Sequence, residues 1–140
     1  MINSRWTRAA GLAIALLAGP GMKGVTHAQV PGFKRVELQR HDLAVPERET
    51  VVARGEFAAG AAVSRHTHPG DEVGYVLEGE LTIEIDGKPP QKLKAGDTFF
   101  IPAGTIHAAK NTSKAAAVAL STYIVEKGKP LATPVATPAK

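Results

Sequence analysis

The chain has 140 residues, room for one domain and no more. It is 44% hydrophobic and 21% charged, a globular balance that excludes fibrous and disordered classes. It has no cysteine, which excludes a disulfide framework, thiolate ligands and lipidation on cysteine.

The formal charge of +4 depends on the N-terminal segment. Arg5 and Arg8 open it, Ala9 to Gly19 is apolar, and Thr26-His27-Ala28 supplies small residues before Gln29. This pattern predicts a signal peptide over residues 1–28 and a periplasmic or secreted product with no stable membrane anchor after cleavage. Arg5, Arg8 and Lys23 leave with it, so 17 basic residues become 14 against 13 acidic ones and the net charge falls to +1. The high pI therefore reports the leader and does not argue for a nucleic-acid partner.

The chain that follows reads as strands and turns. Val36 to Leu43 alternates loosely, and Pro46-Glu47 breaks it before a second strand over Glu49 to Ala58. Val63 to His68, Glu72 to Glu78 and Glu80 to Asp86 follow. Leu81, Ile83 and Ile85 alternate with Thr82, Glu84 and Asp86 in the clearest period-two run, and Asp86-Gly87 marks a tight turn. Lys92 to Lys94, Thr98 to Pro102, Ile106 to Asn111 and Ala115 to Glu126 complete the set. β-branching in Ser121-Thr-Tyr-Ile-Val weighs against a helix there. The Pro/Ala-rich segment 128–140 reads as a flexible tail, or as chain lying along a sheet edge. Short strands with frequent turns and no amphipathic helix after the leader define an all-β domain over residues 29–127. The expected form is one six- to eight-stranded antiparallel barrel. Its edge strands predict a homodimer.

Three histidines and a glutamate stand out among the turn residues. Strand alternation puts His66 and His68 on one face with Ser64, and turns Val63, Arg65 and Thr67 outward. Pro69-Gly70-Asp71 reverses the chain, so that Glu72 leads Gly74 and Val76 on the inner face, with Val73, Tyr75 and Leu77 opposite. His107 comes from a later strand, with Thr105 and Ala109 on its side. Three imidazoles and a carboxylate converging in a barrel would form a mixed N/O site for a divalent first-row metal. His41, alone beside Asp42, reads as a surface histidine.

The spacing Gly60-x5-His66-x-His68-x3-Glu72-x6-Gly79 resembles the first motif of the cupin superfamily at every position. Gly96-x5-Pro102-x-Gly104-x2-His107-x3-Asn111 resembles the second, in the right order. Among cupins the chain looks like the small single-domain, quercetinase-like kind. The resemblance implies a double-stranded β-helix, or jelly-roll, barrel. It implies His66, His68, Glu72 and His107 as ligands of one divalent first-row transition metal: Fe, Mn, Ni, Cu or Zn. It also suggests Glu72 as a proton acceptor in catalysis. Asn111 is expected to bond neighbouring backbone, not metal. The absence of thiolates argues against Cu(I).

Open positions on such a metal suit a dioxygenase-type oxidoreductase acting on a small organic molecule. The alternatives are a redox-neutral isomerase or lyase, with the metal polarising a carbonyl or water, and a non-catalytic small-molecule-binding cupin. Phe57, Phe99, Phe100, Val76, Ile83 and Leu120 are candidate pocket walls. Arg40 or Arg54 could anchor a carboxylate if turned inward, but both read better as solvated strand residues. A neutral or weakly anionic ligand is therefore expected.

Overall fold

The computed structural model describes residues 31–136. The expected signal peptide over residues 1–28 lies outside them. Among the described residues there are ten strands and no helix. These are β1 Phe33–Asp42, β2 Arg48–Phe57, β3 Ala62–Thr67, β4 Gly70–Glu78, β5 Glu80–Ile85, β6 Gln91–Lys94, β7 Thr98–Ile101, β8 His107–Lys110, β9 Ala117–Glu126 and β10 Thr133–Pro134. They form two five-stranded sheets, ordered β1-β2-β9-β4-β7 and β10-β3-β8-β5-β6, with every pairing antiparallel. The fold is thus the expected all-β jelly roll. The strand count exceeds the expected six to eight, because both ends of the described chain add edge strands.

The two sheets bury their facing sides against each other. Phe57, Val76, Leu81, Ile83, Ile85, Phe99 and Ile101 form the main core. A smaller cluster holds Val51, Ala53, Tyr123 and Val125, with Leu131 packed against it. The alternation in β5 explains its place: Leu81, Ile83 and Ile85 are at most 5% exposed. At 25 cal/mol per Å² of apolar surface, each such side chain contributes about 1.5–3 kcal/mol to folding.

Two glycines show why a side chain would not fit. Gly74 faces Phe99 across β4 and β7, and a Cβ there would lie 2.0 Å from the Phe99 ring. The missing methyl lets that ring lie flat on the sheet. Gly79 has φ of +72°, and a Cβ would lie 2.4 Å from the Ala116 carbonyl. It follows a register shift between Val76 and Glu78, so the bend expected at this glycine is a β-bulge.

The chain after Gly128, read as flexible or as a sheet-edge segment, takes the second course at Thr133–Pro134. Thr133 pairs with Thr67 and Pro134 with His66, and Val135 N–H donates to the Arg65 carbonyl at 2.9 Å. β10 therefore runs beside the strand that carries His66.

Candidate metal centre

The strands bring the four predicted residues together. His66 lies on β3 and His107 on β8, directly paired across the sheet. Glu72 is the third residue of β4, and His68 lies in the short link between β3 and β4. All four are buried, with exposures of 3–7%. The three histidines each offer a ring nitrogen within 4.8 Å of the others. Glu72 Oε2 stands 3.1 Å from His68 Nε2 and 3.4 Å from His107 Nε2.

Two predicted facings fail. Ser64 is exposed, whereas Val63 packs against the core. The cause is a bulge: Val63 pairs with Ala109 and His66 with His107, so β3 advances three residues while β8 advances two. The extra residue lets both Val63 and His66 face inward. On β4 the prediction holds, with Glu72, Gly74 and Val76 buried and Val73, Tyr75 and Leu77 exposed.

Backbone carbonyls fix all three rings. His66 Nδ1 lies 2.8 Å from the Ser64 carbonyl, His107 Nδ1 2.9 Å from that of Thr105, and His68 Nδ1 2.5 Å from that of Leu131. A carbonyl only accepts, so each Nδ1 carries a proton, which leaves Nε2 as the ring nitrogen free to ligate. His68 Nε2 is buried and has no hydrogen-bond donor facing it. Its closeness to Glu72 requires either a proton on that ring nitrogen or a cation between the two.

The electrostatics lead to the same requirement. Burial alone would raise the pKa of Glu72, but His107 and His68 outweigh it and hold the carboxyl well below its usual range. A buried carboxylate needs a positive charge opposite it, either a proton on an imidazole or a metal ion. Burial, then the neighbouring His107, push His66 down to about 4, so that ring is neutral and available at pH 7. Three imidazoles and one carboxylate suit a divalent first-row ion. The residues fit the group they were expected to hold.

The two motifs are tied to each other. Gly104, with φ of +69°, donates its N–H to the His68 carbonyl at 3.0 Å. Asp71 accepts from Ala103 N–H at 2.9 Å. The Pro102–Gly104 turn is thereby fixed against the link that carries His68. Asn111 behaves as expected of a backbone staple. It is 1% exposed and donates to the carbonyls of Phe57, Ala58 and Ala115.

A small cavity of about 50 Å³, open at one side, lies beside the centre. His66, Glu72 and His107 line it, as do the predicted Phe57, Phe99 and Ile83. Phe100 is instead 53% exposed, because alternation on β7 turns it opposite Phe99. Leu120 also falls on the outward side of β9, between buried Ala119 and Ser121, and Val76 is buried outside the cavity lining. Arg40 is held by Glu37 and Glu49, and Arg54 by Glu56. Neither lines the cavity, in keeping with the solvated reading. His41 is exposed on β1.

Arg35 and Ser121 line the cavity and were missed; of the two tyrosines, whose facing the sequence left open, Tyr123 lines it and Tyr75 is exposed. Tyr123 pairs with Glu72 across β9 and β4, and its ring lies 4.8 Å from that of His68. Burial and the Glu72 carboxylate push its phenol far above the ordinary value, against the pull of Arg35. Period-two facing could have found Ser121 and Tyr123, since both share the face of Ala117 and Ala119. Arg35 had no signal, because it lay before the predicted start of the first strand.

An antiparallel jelly roll with a buried three-histidine, one-carboxylate cluster defines a class of small barrel with a metal-ready pocket. A family profile described as the cupin domain matches residues 53–123. This chain belongs to that family. It is 30% identical over 110 residues to a germin-like protein, subfamily 2 member 2, of Arabidopsis thaliana, covering 75% of this chain and 45% of that one. It is 38% identical over 52 residues to the dimethylsulfoniopropionate lyase DddQ of Ruegeria pomeroyi, covering 37% of this chain and 26% of that one. An oxalate oxidase solved with the substrate analogue glycolate superposes with a TM-score of 0.62 at 27% identity, covering 77% of this chain and 57% of that one. The chain thus spans less than half the length of these curated relatives.

Proposed function

We propose that this protein is a metal-dependent oxidoreductase of the dioxygenase type, acting on a small organic molecule. His66, His68, Glu72 and His107 would hold one divalent ion of Fe, Mn, Ni, Cu or Zn. The observation that carries this reading is the buried Nε2 of His68, which has no hydrogen-bond partner, stands 3.1 Å from the Glu72 carboxylate and belongs to a set of three imidazoles whose ring nitrogens lie within 4.8 Å of one another. A divalent ion among these groups would supply the positive charge that the buried carboxylate needs. When bound, the ion would polarise a coordinated oxygen and, if redox-active, couple the substrate to dioxygen. The protein's own part is to exclude water with the apolar walls, orient the substrate in the cavity, and offer the Glu72 carboxylate as a proton acceptor. The similarity to the oxalate oxidase supports redox chemistry. The test is oxygen uptake by protein loaded in turn with Fe, Mn, Ni and Cu over a panel of enols, diketones and small acids. Turnover without oxygen consumption would count against it.

A redox-neutral lyase or isomerase is the second reading. Tyr123 beside Glu72 favours it, because a buried phenol next to a carboxylate can pass a proton. The similarity to a dimethylsulfoniopropionate lyase points the same way. Oxygen-independent product formation, lost in Tyr123→Phe, would select it.

Export and dimerisation belong to the proposal too. The leader pattern supports a periplasmic or secreted protein starting near Gln29, and an intact Met1 in the soluble exported fraction would remove that claim. Exposed Val73, Tyr75, Leu77, Phe100 and Ile124 give the outer face of the β4-containing sheet an apolar surface suited to a second copy. A monomer at micromolar concentration by sizing would remove the homodimer.

A further inference from the structure

We infer that Arg35 is the anion anchor of this cavity. Its ligand is a small monocarboxylate with an apolar body and a second oxygen, hydroxyl or oxo, directed at the histidine–glutamate cluster. This narrows the neutral or weakly anionic ligand expected from sequence to its anionic form.

Four observations carry the inference. Arg35 is the one cationic side chain among the cavity-lining residues, and only Glu72 among them is acidic. Glu72 is already engaged by His68 and His107. Arg40, Arg54 and Arg65 each pair with a carboxylate, whereas Arg35 has no ion pair among the described residues. Its guanidinium instead lies 5.9 Å from the ring centres of both Phe33 and Tyr123. Two aromatic faces hold the fork in place without neutralising it, which leaves its donors free for a carboxylate.

The sheet makes room for this arm. Arg35 pairs with Gly55, and the neighbouring inward positions are Ala53, Ala119 and Ser121. Small residues under a long cation leave a gap that a ligand can fill. Tyr123 touches both ends of that gap, with Arg35 over its ring and His68 at its edge. A molecule spanning the ring would reach both the guanidinium and the cluster. The remaining walls, Phe57, Val63, Leu81, Ile83 and Phe99, offer no polar partner for the middle of the ligand. They favour an apolar body over a bare dicarboxylate.

The inference rests on the metal-centre reading only for the ligand's far end, so the two can fail separately. The probes are benzoylformate, its methyl ester and oxalate, titrated calorimetrically into zinc-loaded and metal-stripped protein, with zinc content measured on each sample. Benzoylformate should bind at least 10-fold tighter than its ester, and tighter than oxalate. Arg35→Gln should weaken the acid at least 10-fold and the ester less than 3-fold. Arg35→Lys, which keeps the charge without the fork, should fall between. In stripped protein the preference for acid over ester should persist at lower affinity. Failure to take up zinc, with that preference intact, would sink the metal centre and leave Arg35 standing. Equal binding of acid and ester, unchanged acid binding in Arg35→Gln, or no acid binding at all would overturn the anchor. Tighter binding of oxalate would overturn the apolar body.

Discussion

Truncation after Lys129 removes the strap that reaches back to the metal centre. It deletes Leu131, whose carbonyl takes the Nδ1 proton of His68 at 2.5 Å. It also deletes the pairing of Thr133 and Pro134 with Thr67 and His66, and the 2.9 Å bond from Val135 to Arg65. Loss of an outer partner from a ligating histidine lowers metal affinity 10–100-fold, or about 1.4–2.7 kcal/mol. Leu131 is only partly buried against Val51, Ala53, Tyr123 and Val125, so its loss should cost about 1–2 kcal/mol of stability, below the range for a full core leucine. Two assays separate the effects: zinc affinity by competition with a chromogenic chelator, and urea unfolding of the metal-free protein. Leu131→Ala keeps the carbonyl, so it should lose stability yet hold zinc within about 3-fold of the parent. Truncated protein that binds zinc as tightly as the parent would refute the reasoning and reduce the strap to a sheet-edge cover.

Gly74→Ala should destabilise the fold by about 1–3 kcal/mol, because its Cβ meets the Phe99 ring at 2.0 Å; thermal melting reads this, and Phe99→Leu in the same chain should restore part of it. The metal-free protein should lose stability as pH falls. His66 is held at about 4 in the fold against 6.5 unfolded, so the unfolded chain takes the proton first. That contribution is complete above pH 6.5 and drains away toward pH 4, by up to about 3 kcal/mol, with the depressed Glu72 adding further loss below its ordinary 4.5. Urea unfolding between pH 7.5 and 4 measures it, and a flat profile would contradict it.

The sequence carried more of the centre than of the pocket. His66, His68, Glu72 and His107 were legible because each lies at a fixed offset from a turn, and strand alternation then sets its face. Gly74 and Val76 followed from Glu72 by the same rule. Ser64 did not, because one extra residue in β3 reverses facing, and nothing in Val-Ser-Arg marks a bulge. Phe100 and Leu120 were assigned by residue type where period two would have turned them outward. Arg35 and the Leu131 carbonyl stayed hidden for another reason. Both come from edge segments whose partners lie far along the chain, such as Leu131 and His68, 63 residues apart. No local pattern reports that pairing.

The most direct test of the central claim is metal analysis of protein purified without a polyhistidine tag. It should show close to one first-row divalent ion per chain. His66→Ala and His107→Ala should abolish tight binding, and His41→Ala should leave it unchanged. Full metal occupancy in a variant with alanine at residues 66, 68, 72 and 107 would contradict the account, as would a parent protein that takes up none of the five metals when offered them.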